Sequence, residues 1–245
     1  MLLAIDIGNT NISFGIFRGS KIIKQFFIAT KTYNLSTLKN KLPKIKFDDA
    51  IVCSVVPRVT RVIDKDLRRL LGKRPYIIGK DIIVPIKNLY RNPKQVGQDR
   101  LVNAYAGVSL YGAPLIMIDF GTAVTFDAVS KHKEYLGGMI LPGLKISLDA
   151  LAERTALLPK IKLDKPSDFI GRDTRNSMLG GIVYGFASLT DDLVKRIREK
   201  IGQHAKVIAT GGNIQLIQQY CHNLHKIDRD LTLEGLNLIY NTIPC

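Results

Sequence analysis

Apolar residues along this chain come in short runs that deliver an aspartate and then a glycine, and one such run is written twice. Leu3-Ala4-Ile5-Asp6-Ile7-Gly8 near the start returns as Ile116-Met117-Ile118-Asp119-Phe120-Gly121, 113 positions further on. Each copy passes through a small polar stretch, Asn9-Thr10-Asn11 or Thr122-Ala123-Val124-Thr125, into a second apolar run, Ile12 to Phe17 or Val124 to Val129. Short apolar runs punctuated by Gly, Asn and Thr read as two strands joined in a β-hairpin. One copy opens each half of the 245-residue chain, which marks a duplicated domain.

The pattern predicts an α/β architecture in both halves. In the first, strands near 2–7, 11–17 and 21–28 precede a helix around 34–42, a buried strand from Ala50 to Val55, a helix around 58–71, a strand from Tyr76 to Ile78 and an apolar helix from about Leu101 to Leu110. In the second, strands at 115–119, 123–129 and 134–140 precede a helix after Pro142-Gly143 with Leu144, Leu148 and Leu151 on one face. A long helix is expected over about 176–201, where Leu179, Ile182, Phe186, Leu189, Leu193 and Ile197 recur at three-to-four spacing. A strand from Lys206 to Ala209 then leads through Thr210-Gly211-Gly212 into another helix. Three strands followed by alternating helices and strands, in each half, give two domains, 1–112 and 113–245, expected to pack directly with a cleft between them.

Composition narrows this. At 245 residues and 46% hydrophobic the chain can bury one or two cores, and the duplication decides for two. No apolar run approaches the roughly 20 residues of a membrane span. The stretch from Met1 to Ile7 is too short, and too soon interrupted by Asp6, for a signal peptide. A cytoplasmic protein without a membrane partner is expected. The cysteines, Cys53, Cys221 and Cys245, are odd in number and lack metal-ligand spacing, which suits a reducing compartment.

The net charge of +15 is unevenly placed: residues 1–112 carry 20 Lys/Arg against 7 Asp/Glu, residues 113–245 only 16 against 14. Basic patches attract nucleic acid. Yet the lysines between Lys21 and Lys46 are scattered without a known docking motif, so a solvated basic face is favoured over a nucleic-acid partner. A small anionic substrate would be drawn in by the same field.

The hairpin turns carry candidate chemistry. Their glycines let a phosphate approach the backbone, N–H groups and threonine hydroxyls donate to it, and the aspartate can hold a cation that offsets phosphate charge. Asp119-Phe120-Gly121 also spells the metal-binding tripeptide of protein kinases, but no His-Arg-Asp loop or Val-Ala-Ile-Lys strand accompanies it. Gly72-Lys73 and Gly79-Lys80 lack the Ser/Thr that a P-loop requires. Asp99 stands just before an apolar helix, and spacing alone favours a helix cap there. Thr210-Gly211-Gly212 suits close approach of adenine or ribose, although Gly-Gly between strand and helix is commonly only a turn.

Taken in order, Asp6-Ile7-Gly8-Asn9-Thr10, Gly97-Gln98-Asp99-Arg100, Asp119-Phe120-Gly121-Thr122-Ala123, Gly137-Gly138 to Pro142-Gly143, Thr155 to Pro159, Gly171-Arg172-Asp173-Thr174 and Thr210-Gly211-Gly212 resemble the type III pantothenate kinase family. The resemblance spans essentially the whole chain. It implies the duplicated ribonuclease-H-like fold of the acetate and sugar kinase, Hsp70 and actin superfamily, and ATP-dependent phosphorylation of pantothenate at the start of coenzyme A synthesis. It implies that Asp6 organises Mg²⁺ and that the turn Asp6, Ile7, Gly8, Asn9, Thr10, Asn11, Ile12 and Ser13 binds ATP together with Thr122, Gly211 and Gly212. Asp119 is implied to bind a monovalent cation, potassium or ammonium, and Asp99 to accept the substrate proton. Tyr90, Gly97, Gln98, Asp99, Arg100 and Thr174 are implied to hold pantothenate, and a homodimer is implied with Thr155 to Pro159 near its contact. Two other readings stay open at this point: a related phosphotransferase with a different acceptor, and a non-catalytic regulator using the basic first half.

Overall fold

The computed structural model describes residues 1–243, so Cys245 lies outside the described residues. The chain divides into two compact units, Met1–Leu110 with a returning segment that begins at Asp230, and Tyr111–Arg229.

The first unit runs β1 (Leu2–Ile7), β2 (Asn11–Arg18), β3 (Lys21–Ala29), α1 (Leu35–Lys41), β4 (Asp49–Ser54), α2 (Pro57–Leu71), β5 (Tyr76–Ile77), β6 (Lys87–Asn88) and α3 (Gln98–Tyr111). Its sheet has the order β3-β2-β1-β4-β5, antiparallel from β1 to β3 and parallel from β1 through β4 to β5. β1 lies at the centre, and its residues are buried almost throughout because both faces are covered. β3 is an edge strand and alternates, with Phe26 and Ile28 inward while Phe27 faces out. Phe26 stacks on Phe14 with ring centroids 4.8 Å apart.

The second unit repeats the plan with β7 (Leu115–Phe120), β8 (Ala123–Val129), β9 (Glu134–Pro142), α4 (Leu144–Arg154), α5 (Thr174–Ile201), β10 (Lys206–Thr210), α6 (Ile214–Ile217) and β11 (Lys226–Ile227). Within it the strands lie in the order β11-β10-β7-β8-β9, and β7 again has an antiparallel neighbour on one side and a parallel one on the other. Both units therefore share one topology, the duplication that the repeated Asp-Gly run predicts and the ribonuclease-H-like fold that the family resemblance implies. α5 starts at Thr174, two residues before its expected start, because Asp173 caps it by accepting from Asn176 N–H at 2.8 Å.

One expectation needs correction. The sequence pattern runs the second domain from 113 to 245, but α7 (Leu231–Tyr240) packs on β1, β4 and β2 of the first unit. Its Leu231, Leu233, Leu236 and Ile239 are all at most 2% exposed. Burying each is worth about 1.5–3 kcal/mol, and β1 offers them an apolar face. Gly235 makes the packing possible, because a Cβ there would meet Val102 Cγ1 at 2.8 Å and Val102 O at 2.9 Å on α3. Gly235→Ala would gain about 1 kcal/mol of helix propensity but incur an overpacking cost of about 1–3 kcal/mol against a backbone oxygen that cannot rotate away. We expect a net loss of stability in urea unfolding; a variant more stable than the wild type would contradict this packing. Among the described residues no helix is long and apolar enough to cross a membrane.

Candidate active site

Each unit presents an aspartate at the end of its central strand. In the first, Asp6 is paired across the sheet with Ser13 on β2 and Cys53 on β4. Side chains directly opposite on adjacent strands lie on the same face, so Asp6 has a hydroxyl on one side and a thiol on the other. The turn after it is closed by Gly8 N–H donating to Asn11 O at 3.0 Å. Asn9, Thr10 and Asn11 are exposed at its tip, whereas Ile7 and Ile12 are fully buried in the core and could reach a ligand only through their main chain. The turn is held from behind by Thr30, whose hydroxyl donates to Gly8 O at 2.7 Å and whose N–H donates to Thr10 O at 2.9 Å. Thr30 lies 22 residues from Gly8, and no sequence signal marks it.

Asp99 belongs to the same unit. α3 begins at Gln98 rather than near Leu101, so Asp99 lies within the first helical turn, where its Oδ1 accepts Arg100 N–H at 2.9 Å. That bond spans one residue, whereas an N-cap reaches the N–H two or three residues on, so a local contact stands in place of the cap suggested by its position. It does not exhaust the residue's chemistry: burial raises the Asp99 carboxyl above the usual carboxylate range, against the lowering effect of the Arg100 N–H and charge. Gly97 gives the carboxylate its room, since a Cβ there would meet Asp99 Oδ1 at 2.5 Å. Cys53, fully buried, ties the site together: its thiol is pushed up by burial and then by the charges of Asp6 and Asp99. The ends of β1 and β4 and the start of α3 thus bring two carboxylates around one buried thiol. Arg100 is buried, Gln98 packs on the turn at Gly79, and Tyr90 N–H donates to Asn88 Oδ1 at 2.9 Å in the segment before α3.

The second unit builds its own version. Asp119 is paired with Thr125 on β8 and with Thr210 on β10, so two hydroxyls flank it. Thr125 Oγ1 donates to Asp127 Oδ2 at 3.2 Å, and Asp127, buried on β8, also accepts from the Tyr135 hydroxyl at 2.7 Å. Having donated its proton there, the Thr125 hydroxyl cannot also donate to Asp119, and its lone pairs are left for a donor or a cation. Thr122 is exposed at the β7–β8 turn, and Gly143, at the start of α4, donates its N–H to Thr122 O at 3.1 Å. A Cβ at Gly143 would overlap that oxygen. The Gly211-Gly212 turn is laced to the same place: Asn213 donates from its backbone N–H to Phe120 O and from Nδ2 to Gly121 O, both at 3.1 Å. Asn213 belongs to none of the sequence motifs, although its position directly after Gly-Gly is a signal that could raise it. Thr174 begins α5 and lines a pocket of about 620 Å³ with Leu151, Leu158, Arg172, Asp173 and Met178.

The doubled topology, with an aspartate and a glycine-bearing turn at the head of each unit, defines the actin-like ATPase and sugar-kinase fold class. In agreement, the activator of the 2-hydroxyisocaproyl-CoA dehydratase from Clostridium difficile, solved with bound ADPNP, superposes with a TM-score of 0.58 at 14% identity, covering 98% of this chain and 93% of that one. The type III pantothenate kinase family profile matches residues 2–196. A type III pantothenate kinase from Agathobacter rectalis is 41% identical over 98% of this chain and 96% of its own length. Another from Geotalea daltonii is 40% identical over 98% of both. The chain belongs to the type III pantothenate kinase family.

Proposed function

We infer that the protein transfers the γ-phosphoryl group of ATP to the primary hydroxyl of pantothenate, giving 4′-phosphopantothenate and ADP in the first step of coenzyme A synthesis. The observation that carries this is the full-length match to the family, with every motif present in order. Phosphoryl transfer asks a protein for an aligned hydroxyl, a neutralised triphosphate and a group to receive the hydroxyl proton. Asp99 is assigned the last role, and its raised carboxyl supports the choice because a more basic carboxylate is a better proton acceptor. Arg100 is assigned to the carboxylate of pantothenate through charge-assisted hydrogen bonds, with Tyr90, Gly97, Gln98 and Thr174 as further contacts.

For the nucleotide, the turn from Asp6 to Ser13 is assigned to the phosphates and Thr122, Gly211 and Gly212 to the rest of ATP. The oxygens of Asp6 and Ser13 suit a hard divalent cation, and Mg²⁺ bound there would offset triphosphate charge. Asp119 between Thr125 and Thr210 offers a wholly oxygen-based set, which suits a hard cation; the choice of a monovalent one there, potassium or ammonium, follows the family resemblance. A homodimer is part of the same proposal: Leu157, Phe169 and Ile170 are 91%, 77% and 78% exposed, large apolar side chains of the kind that partners cover. The cytoplasm is the proposed compartment.

The test is ADP release by purified protein with ATP and Mg²⁺, with and without pantothenate, in potassium and in sodium. Turnover that requires pantothenate and is stimulated by potassium is expected. Turnover indifferent to pantothenate, from folded protein that binds ATP, would overturn the acceptor assignment.

A further inference from the structure

The first unit holds a second pocket, of about 480 Å³, which shares Asn9 with the nucleotide assignment and whose other lining residues neither the nucleotide nor the pantothenate assignments use. It opens beside Asn9, between the segment that follows β3 and the start of α2. Half of its wall is apolar, made by Val56, Val59, Val62 and the Tyr33 ring; the other half carries Lys31 and Arg58. None of the residues lining it is acidic. Asp66 accepts from the hydroxyl of one wall residue, Tyr33, at 3.1 Å and does not itself line the pocket. Its volume lies within the range of about 300–1,000 Å³ typical of small-molecule sites. An inorganic ion would leave the apolar half unfilled, and a neutral apolar molecule would leave the two cations unanswered.

We propose that this pocket binds a small phosphate monoester with an apolar body, its phosphate between Lys31 and Arg58 and its body against the three valines and Tyr33. A phosphomonoester carries a charge of about −1.5 to −2 at neutral pH, which two cations balance; a carboxylate would leave one cation over. Arg58 adds a planar fork that matches phosphate oxygens. Occupancy would be felt at the adjoining turn, because Thr30 forms part of the pocket wall and also holds Gly8 and Thr10. On the reading of that turn as a phosphate-binding element, the ligand and ATP then alter each other's affinity reciprocally. The pocket also puts two of the first half's excess cations, to which the proposed function assigns no role, to a specific use.

Titration calorimetry with phenyl phosphate, inorganic phosphate and benzoate tests the proposal directly and does not depend on how the turn functions. Phenyl phosphate should saturate the wild type and bind at least about tenfold more tightly than either of the other two, as loss of the apolar body or of one charge predicts. The double variant Lys31→Gln/Arg58→Gln and the pocket-filling Val62→Phe should each weaken it by about tenfold or more. Lys44→Gln, a cation of the same unit outside the pocket, should not. Unchanged affinity in the double variant and in Val62→Phe, or no saturation in the wild type, would overturn the site. Equal binding of benzoate or of inorganic phosphate would overturn the ligand class. Complete competitive displacement by ATP would return the pocket to the nucleotide. A partial, saturating shift of the ATP affinity is expected, and its absence with phenyl phosphate bound would overturn the coupling alone.

Discussion

Asn in place of Asp99 is expected to lower kcat/KM for pantothenate by about 10²–10⁴ while leaving the protein at least as stable as the wild type. The two effects separate because the features proposed to make Asp99 useful are also unfavourable to the fold. Burial raises the carboxyl above its unfolded value, so the folded protein holds the Asp99 proton more tightly than the unfolded chain does. The associated stabilisation is complete at pH below the unfolded value and is lost as pH rises through the folded value. Asn does not titrate, so at neutral pH Asp99→Asn should melt at or above the wild-type temperature, and the difference should close on acidification. The wild-type kcat/KM should fall on the acid side at a pH above the ordinary carboxylate range, and that limb should be missing from the residual activity of the variant. Full activity in Asp99→Asn would remove the residue from proton transfer. Lost activity accompanied by a lower melting temperature at neutral pH would make Asp99 a structural residue instead.

Much of the fold is legible in the amino-acid sequence, because the informative residues are local. β1 and β7 are central strands, buried on both faces, and therefore appear as unbroken apolar runs. The aspartates and glycines that follow them stand out because they interrupt those runs at equivalent places. α7 does not stand out. Its Gly235 weakens the local helix signal, and the face that its leucines cover is built from β1, more than 220 residues earlier in the chain. A helix whose partner is that remote leaves no trace in the pattern of its neighbours, and the domain boundary is misplaced for the same reason. The site divides along the same line. Asp6, Asp99 and Asp119 sit in short motifs, but Thr30 and Asn213, which hold the two turns, act across 22 and 92 residues. The position of Asp99 is visible in its motif and its raised carboxyl is not, since burial is a property of everything packed around it.

Alanine at Gly211 is expected to be strongly disruptive, and alanine at the adjacent Gly212 mild. Gly211 has φ +93°, a left-handed conformation that disfavours any side chain by about 1–3 kcal/mol. A Cβ there would collide with Asp119 Oδ1 and stand 2.6 Å from both N and C of Phe120. The Phe120 backbone cannot yield, because Asn213 and Gly121 are bonded into the same turn. Adding the overpacking cost to the backbone cost gives a loss of roughly 3–5 kcal/mol. Relief can come only from displacing the Asp119 carboxylate and the β7–β8 turn, so ATP affinity should fall with stability, as should any stimulation by potassium. A Cβ at Gly212 meets nothing within 4 Å. Its substitution should change stability by no more than about 0.5 kcal/mol and, if that open space receives part of the nucleotide, raise the KM for ATP alone. Urea unfolding and calorimetric ATP titration of the two variants separate these effects. A Gly211→Ala protein with wild-type stability and ATP affinity would show that the Gly-Gly turn does not close on Asp119 as described. Equal damage from both substitutions would mean that the turn tolerates no side chain for reasons other than this close approach.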